Sequence, residues 1–171
     1  MESVEILGIQ FAMMDRMTVF GLQFLLSVLV FALIARWFVG PWLAQKSQTD
    51  ALSILLLPHA FRHLGLAFFV PGLVGEDMPA LFSITAGYGD LLSALLAIIS
   101  LIALRNRWAI ALPLVFVFSM VGVADLLNAL RQADVVPHFR SVWYIPTFVV
   151  PMLIVTHVLI IRRLFSRGQK A

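Results

Sequence analysis

The sequence predicts an all-α fold, a polytopic membrane protein built as a bundle of five transmembrane helices. Hydrophobic residues make up 61% of its 171 residues and charged residues only 12%, and the mean hydropathy is +0.99. Soluble domains contain about 45–50% apolar residues, and a soluble fold of this size could not bury the excess. Five apolar runs approach the about 20 residues that are needed to cross a bilayer. We therefore expect residues 1–171 to form one integral membrane domain in contact with the lipid bilayer.

Short polar or helix-breaking stretches separate the five runs. Gly40-Pro41 is expected to end the first run, and Thr49 and Asp50 are expected to cap the second. The four tryptophans fall near the predicted ends, as the aromatic belts of membrane interfaces require. The expected spans are residues 18–39, 51–71, 79–104, 109–130 and 141–164.

Residues 1–17 precede the first span and are too short and too mixed in polarity to cross a bilayer. Two interpretations remain open, an interfacial helix and an extension of the first span. Glu2 and Glu5 stand where a signal peptide would carry basic residues, and no small-residue cleavage site follows the first run. That run is therefore expected to be a retained span.

The placement of lysine and arginine predicts how the spans are oriented. Only Arg16, Arg131 and Arg140 flank one side, whereas eight basic residues flank the other. The positive side stays in the cytoplasm, so we expect an outer N-terminus, an inner C-terminus and a bacterial-type plasma membrane. Because the basic residues are scattered at segment ends, no nucleic-acid partner is expected. The eight inner residues are Arg36, Lys46, Arg105, Arg107, Arg162, Arg163, Arg167 and Lys170.

The second span contains the stretch Leu57-Pro58-His59-Ala60-Phe61-Arg62-His63-Leu64-Gly65, in which charge is unexpected. His59, Arg62 and His63 have the i, i+3, i+4 spacing that shares one face of an α-helix. An arginine at the bilayer centre costs about 2.5–3.5 kcal/mol on insertion scales. This face is therefore expected to point into the bundle and to have partners there, and Pro58 is expected to bend the helix or free a carbonyl.

The third and fourth spans offer partners at a similar depth. A seam of small or polar residues follows one face of the third span and allows close helix packing; it comprises Ser83, Gly87, Asp90, Ala94 and Ala97. In the fourth span, Asp125 and Asn128 lie one turn apart. We expect a polar cluster in the outer half of the bundle, with Tyr88 nearby, formed by Arg62, His63, Asp90, Asp125 and Asn128.

The leading functional hypothesis is that this cluster binds a small polar or anionic ligand or relays protons. Arg62 would supply positive charge, His63 would exchange protons, and Asp90 and Asp125 would supply the opposite charge. Ionisable residues inside a membrane commonly mark ligand pathways and proton relays. A catalytic role is not assigned to any of them.

A second hypothesis is a redox protein or enzyme that binds haem b or a transition metal. His59 and His157 lie at matching depths on two spans, and His63 is one helical turn from His59. Paired imidazoles are common ligands of haem iron and of metal ions. The acidic base of the zinc-protease motif is missing between His59 and His63. The chain has no cysteine, which excludes thiolate ligands, disulfides and cysteine nucleophiles.

A third hypothesis is an accessory helical subunit that packs against a partner membrane subunit or a second copy of itself. In that case Arg62 pairs with Asp90 or Asp125 only to fix the register of neighbouring helices. No lysine lies within a predicted span, which argues against a retinal Schiff base. The sequence also lacks a phosphate-binding P-loop and a dinucleotide fingerprint.

Overall fold

The computed structural model describes residues 3–6, 9–12 and 14–166. Within this part of the chain, five helical segments are long and apolar enough to cross a membrane, which confirms the predicted number. The protein is therefore a helical membrane protein. The segments are named the first to fifth spans in chain order, and they are Arg16–Ala44, Gln48–Phe69, Ala80–Arg105, Ala111–Leu130 and Ser141–Phe165.

Two short strands, and not an interfacial helix, are described in the N-terminal stretch. Strand β1 (Ser3–Ile6) pairs antiparallel with strand β2 (Ile9–Ala12). Polar and apolar residues alternate over Ser3–Ile6 and, in the second strand, as far as Phe11, which suits strands and not an amphipathic helix. The expectation of a helix over residues 1–17 is thus wrong for the two strands, and these strands are not an extension of the first span.

Asp15 begins the first span as its N-cap residue. Its carboxylate accepts hydrogen bonds from the Thr18 hydroxyl at 2.6 Å and from the Thr18 amide at 3.0 Å. Both bonds favour the ionised form, the side-chain bond more strongly, and they lower the pKa of Asp15. The helix therefore starts just before the long apolar run, at Arg16.

The first span continues past Gly40-Pro41, so the expected stop there is wrong. A π-helical turn precedes this pair, and the Gly40 amide donates to the carbonyl of Ala35, five residues earlier. Pro41 then lies in the first turn of the α-helical segment Gly40–Ala44, directly after the π-helical turn. The parts of this span are α-helix Arg16–Ile34, π-helix Ala35–Val39 and α-helix Gly40–Ala44.

Ser47 caps the second span, in place of the expected Thr49 and Asp50. Its hydroxyl oxygen accepts a hydrogen bond from the Asp50 amide at 3.1 Å and donates to the Asp50 carboxylate at 2.7 Å. The α-helix runs over Gln48–Ala60. Ser47 is favoured because its oxygen reaches an amide of the first turn, which has no partner within the helix.

Beyond Pro58 the second span tightens into a nine-residue 3₁₀-helix, Phe61–Phe69. A 3₁₀-helix has three residues per turn, and runs of this length are uncommon. Side chains three positions apart then lie above one another, and the buried positions follow this spacing. They are His59, Arg62, Gly65 and Phe68.

The remaining spans are one α-helix each, except the fifth. The third is Ala80–Arg105 and the fourth is Ala111–Leu130. A short 3₁₀-helix, Ala133–His138, links the fourth span to the fifth. The fifth span combines 3₁₀-helix Ser141–Trp143, π-helix Ile145–Val149 and α-helix Val150–Phe165.

The second to fifth spans form the body of the bundle, and the first lies at its edge. The third span packs against the second and fourth, while the fifth packs against the first, second and fourth. The first span has no buried residue in its most apolar window. It is tied to the fifth span by a hydrogen bond of 2.6 Å from the Trp143 indole to Gln23. As the predicted seam implies, Gly87, Ala94 and Ala97 are buried.

Two separate hydrophobic clusters make up the core. The inner cluster lies toward the ends of the spans that carry most basic residues, and it includes Leu52, Leu56, Leu104, Val115, Phe118 and Ile160. The outer cluster lies at the opposite ends, and it includes Phe68, Phe82, Val135, Val136, Phe139 and Val142. On the second, third and fifth spans, polar side chains lie between these two groups in chain order.

Candidate functional site

Arg62 lies at the centre of the bundle and is only 2% exposed. Its Nε donates to Asp90 Oδ1 on the third span at 2.8 Å, and its Nη2 donates to Asp125 Oδ2 on the fourth span. Its Nη1 donates to the carbonyl of Gly122 at 3.3 Å. One guanidinium therefore joins three spans. We name Arg62, Asp90 and Asp125 the ion cluster.

Glycines allow this close approach of the helices to the charged groups. A Cβ atom at Gly65 would overlap the Asp90 carboxylate, and one at Gly89 would overlap the Asp125 carboxylate. At Gly122 a Cβ atom would lie 3.0 Å from Arg62 Nη1. Small residues at helix contacts are the usual means of close packing in lipid.

The ion cluster holds more negative than positive charge when all its members are ionised. The side chain of Arg62 is fully buried, and those of Asp90 and Asp125 are only 14% and 13% exposed. A buried net charge is costly unless it is compensated. One proton shared by the two carboxylates would bring the cluster to zero charge.

A cavity of about 60 Å³ adjoins the ion cluster on the side of the outer hydrophobic cluster. Asp90 and Asp125 belong to its wall, whereas Arg62 does not, and most other lining side chains are apolar. This volume holds a few water molecules, since each needs about 10–15 Å³ on the same measure. A water molecule or ligand in the cavity would therefore meet the carboxylates of Asp90 and Asp125 as its charged neighbours.

The end of the cavity away from the ion cluster is covered by the connection between the fourth and fifth spans. Arg16 donates to the carbonyl of Pro137 at 2.7 Å, and the Gly75 amide donates to the carbonyl of His138 at 2.8 Å. An isolated β-bridge pairs Val74 with Phe139, whose side chain lines the cavity. These bonds hold the connection between the fourth and fifth spans against the first span and against the loop that follows the second span.

A pair of buried histidines lies next to the ion cluster. The rings of His59 and His157 are 0% and 2% exposed, and their centroids are 4.2 Å apart. The Phe118 ring stacks on His157 at 5.1 Å and meets the edge of His59 at 5.0 Å. Among the described residues, His59 Nδ1 and both ring nitrogens of His157 have no hydrogen-bond partner. Buried polar atoms without partners are uncommon in native structures.

The histidine pair and the ion cluster are adjacent through Gly122. The point where a Cβ of residue 122 would sit is 2.7 Å from His157 Nε2 and 3.0 Å from Arg62 Nη1. The two groups are thus neighbours beside Gly122, although no hydrogen bond joins His157 to Arg62. We name the five residues Asp125, Asp90, Arg62, His157 and His59 the polar layer.

The polar layer ends at Thr156, which lies beside a crevice open to the side of the bundle. Thr156 Oγ1 is 2.9 Å from His59 Nε2. The crevice has a volume of about 290 Å³, lies between the first, second and fifth spans, and has no charged side chain of the described residues in its lining. The layer therefore extends from the cavity beside the ion cluster to this crevice at the side of the bundle.

The structure brings together three of the six residues that the sequence placed in the polar cluster. Arg62, Asp90 and Asp125 meet, whereas His63, Tyr88 and Asn128 are exposed and lie outside the cluster. This part of the expectation is therefore wrong. His63 Nδ1 is instead 2.9 Å from the carbonyl of Ala60 on its own helix.

Helix geometry explains why His63 and Asn128 lie outside the cluster, and Tyr88 has a different ring contact. His63 leaves the buried face because the 3₁₀-helix repeats every three residues and not every 3.6. The ring of Tyr88, which is 60% exposed, packs on Phe69 at 5.2 Å. Asn128 lies off the buried face of the fourth span, which passes through Ser119, Gly122 and Leu126.

Sequence reasoning missed Gly122, Phe118 and Thr156 as parts of the site. The small residues Ser119 and Gly122, one turn apart in an apolar run, were an available signal of close packing on the fourth span. Thr156 directly precedes His157 and adds a hydroxyl to the same stretch. Nothing in the local pattern singled out Phe118, because it is one of 14 phenylalanines.

The geometry does not fit a haem held between His59 and His157. Their rings touch each other and Phe118, so a porphyrin plane has no space between the two imidazoles. His63 is exposed and does not join them. Within the described part of the chain, no group of three or more histidine, aspartate or glutamate side chains is arranged to hold a metal ion.

Comparison with known proteins identifies a family but not an activity. A family model matches residues 19–165, which include the polar layer and nearly all of the five spans. No curated protein and no solved structure matches the chain. Because the match covers most of its length, the chain belongs to the family described as Domain of unknown function (DUF8737).

Proposed function

We propose that this membrane protein relays protons through the polar layer. The observation that carries the proposal is the proximity of two carboxylates, a guanidinium and two imidazoles inside an apolar bundle, with the ion cluster and the histidine pair on either side of Gly122. Ionisable groups in membrane interiors are costly and commonly serve such pathways. The imidazole nitrogens without partners among the described residues support the same role, because each can accept or donate a proton.

The members of the layer have different roles in this relay. Arg62 remains charged throughout, since guanidinium groups do not lose their proton in proteins, and it holds both carboxylates in place. Asp90 and Asp125 face the cavity and exchange protons with water there. His157 and His59 continue the path, because imidazole takes up a proton on one ring nitrogen and releases one from the other. From His59 the proton passes through the Thr156 hydroxyl, 2.9 Å from His59 Nε2, to water in the crevice that Thr156 lines.

The same geometry favours protons over an anionic ligand. The donors of Arg62 are already directed at two carboxylates and one carbonyl. An anion in the cavity would meet the carboxylates of Asp90 and Asp125 first and would be repelled. The cavity of about 60 Å³ also suits a few water molecules better than an organic ligand.

Proton flux into liposomes tests the relay. Protein reconstituted into vesicles that contain a pH-sensitive dye should carry protons when a potassium gradient and valinomycin set the membrane potential. We expect His157→Phe to lower the flux at least about tenfold, because phenylalanine keeps a ring beside Phe118 but carries no proton. Asp125→Asn should have a similar effect.

The matched control is Asp134→Asn, which removes an exposed carboxylate outside the polar layer and should leave the flux unchanged. Size-exclusion chromatography establishes that each variant is folded before the flux is compared. Wild-type flux no higher than that of empty vesicles would overturn the proposal. Unchanged flux in both His157→Phe and Asp125→Asn would overturn it as well.

We further propose an outer N-terminus and an inner C-terminus in a bacterial-type plasma membrane, because basic residues are concentrated at one end of the spans. The chain has no cysteine, so single exposed positions can be labelled. In intact bacterial cells a membrane-impermeant maleimide should label Asp77→Cys but not Gln45→Cys. Permeabilised cells should show labelling of both. The reverse pattern in intact cells would contradict this orientation.

A further inference from the structure

A groove on the outside of the bundle lies at the end of the spans that carries most basic residues. It has a volume of about 480 Å³ and lies where the end of the first span meets the second and third spans. Lys46 and Arg105 belong to its lining, together with the apolar side chains of Ile54, Leu57 and Leu101. The polar layer does not contribute to it, so this surface is independent of the proposed relay.

The rim of the groove has a positive balance of charge. Lys46 Nζ lies 5.3 Å from the centroid of the Trp42 ring. Arg105 is 4.0 Å from the carboxylate of Asp50, and its side chain is 70% exposed. Asp50 also accepts a hydrogen bond from the Ser47 hydroxyl. The lining thus contains two cations and one carboxylate, and both cations remain accessible.

Below the rim the groove is apolar and open toward the side of the bundle. Lys46 precedes the second span, whereas Leu57 lies within it and is 48% exposed. Ser53, between them in chain order, is 7% exposed, and its hydroxyl has no hydrogen-bond partner among the described residues. The surface therefore offers cations at the helix ends and then a hydrocarbon wall. A phospholipid has the same order of chemistry, from phosphate to acyl chain.

We propose that this groove binds an anionic phospholipid from the leaflet at that end of the spans. The phosphate lies between Lys46 and Arg105, and an acyl chain packs on Leu57 and Leu101. The positive balance selects an anionic over a zwitterionic headgroup. Basic pockets between membrane helices on the cytoplasmic side are suited to such headgroups.

Native mass spectrometry of the purified protein tests this with phosphatidylglycerol and phosphatidylcholine as probes. We expect the wild-type protein to retain phosphatidylglycerol in preference to phosphatidylcholine. Each basic residue near a membrane surface is worth about 1 kcal/mol, which corresponds to about fivefold in affinity. Lys46→Gln and Arg105→Gln should therefore each weaken phosphatidylglycerol binding about fivefold, with little effect on phosphatidylcholine.

Arg36→Gln is the matched control, because it removes one charge from an exposed position of the first span outside the groove. It should leave phosphatidylglycerol binding unchanged. An equal loss of phosphatidylglycerol binding in Arg36→Gln would show that the lipid is attracted by the basic charges in general and not by the groove, and it would overturn the proposal. Equal retention of both lipids by the wild-type protein would overturn it as well. Inorganic phosphate should not compete at millimolar concentration; if it displaces the lipid completely, the groove binds phosphate without the acyl chain and the proposal is wrong.

Discussion

Replacing Arg62 with methionine is expected to destabilise the protein by about 3–5 kcal/mol, the usual cost of removing one partner from a buried ionic group. Asp90 and Asp125 would remain at the centre of the bundle without the guanidinium that both now contact. Equilibrium unfolding in a mild detergent measures the loss. Arg131→Met, at an exposed position, should change the free energy of unfolding by no more than about 0.5 kcal/mol.

A triple variant separates charge from packing in this result. Arg62→Met combined with Asp90→Asn and Asp125→Asn removes all three charges, so no buried ion is left without a partner. Replacing a buried ionic group as a whole is commonly far less costly than breaking it. The triple variant should therefore recover most of the stability lost in Arg62→Met. If Arg62→Met itself lowers the free energy of unfolding by less than about 1 kcal/mol, the ion cluster does not have the burial described for it.

Alanine at Gly122 is expected to destabilise the protein by about 1–3 kcal/mol through overpacking. The added Cβ would lie 2.7 Å from His157 Nε2 and 3.0 Å from Arg62 Nη1, and both of these residues are buried. One of the two side chains must move, so the junction between the histidine pair and the ion cluster is disturbed. Thermal unfolding monitored by tryptophan fluorescence measures the change, and the vesicle assay should show a lower proton flux.

Gly21→Ala provides the matched control for this prediction. A Cβ at Gly21 has no atom within 4 Å, and the residue lies in the α-helix of the first span. The better helix propensity of alanine should then stabilise the protein by up to about 1 kcal/mol. The same substitution is thus expected to have opposite signs at the two positions. A neutral or stabilising Gly122→Ala would contradict the close contact of His157 and Arg62 with Gly122 on the fourth span.

The ion cluster was predictable because depth in a membrane follows directly from position along a span. Arg62 and Asp90 lie on neighbouring spans that run in opposite directions, each at a known distance from a span end. Their opposite charges then leave few other partners for Arg62, since an unpaired charge at that depth is costly. The same reasoning placed His59 and His157 at one level, where the structure shows their rings in contact.

The irregular parts of the helices were not predictable in the same way. His63 was expected on the buried face because the α-helical repeat places i, i+3 and i+4 together. The change to a 3₁₀-helix after Pro58 leaves only i and i+3 aligned. The π-helical turn at Ala35–Val39 likewise precedes Gly40-Pro41, where the sequence had suggested a stop and the helix continues. Such changes of pitch depend on packing between helices, and local sequence carries little of that information.

From the sequence alone, the membrane environment, the number of spans and the residues too polar for lipid could be derived. These properties depend on the composition of single segments, because transfer of a side chain into hydrocarbon is nearly independent of its distant neighbours. Only the tertiary structure decided which side chains meet. Rotation and pitch of each helix arise from the packing of several spans at once, and they joined His157, Gly122 and Arg62 while directing His63, Tyr88 and Asn128 outward.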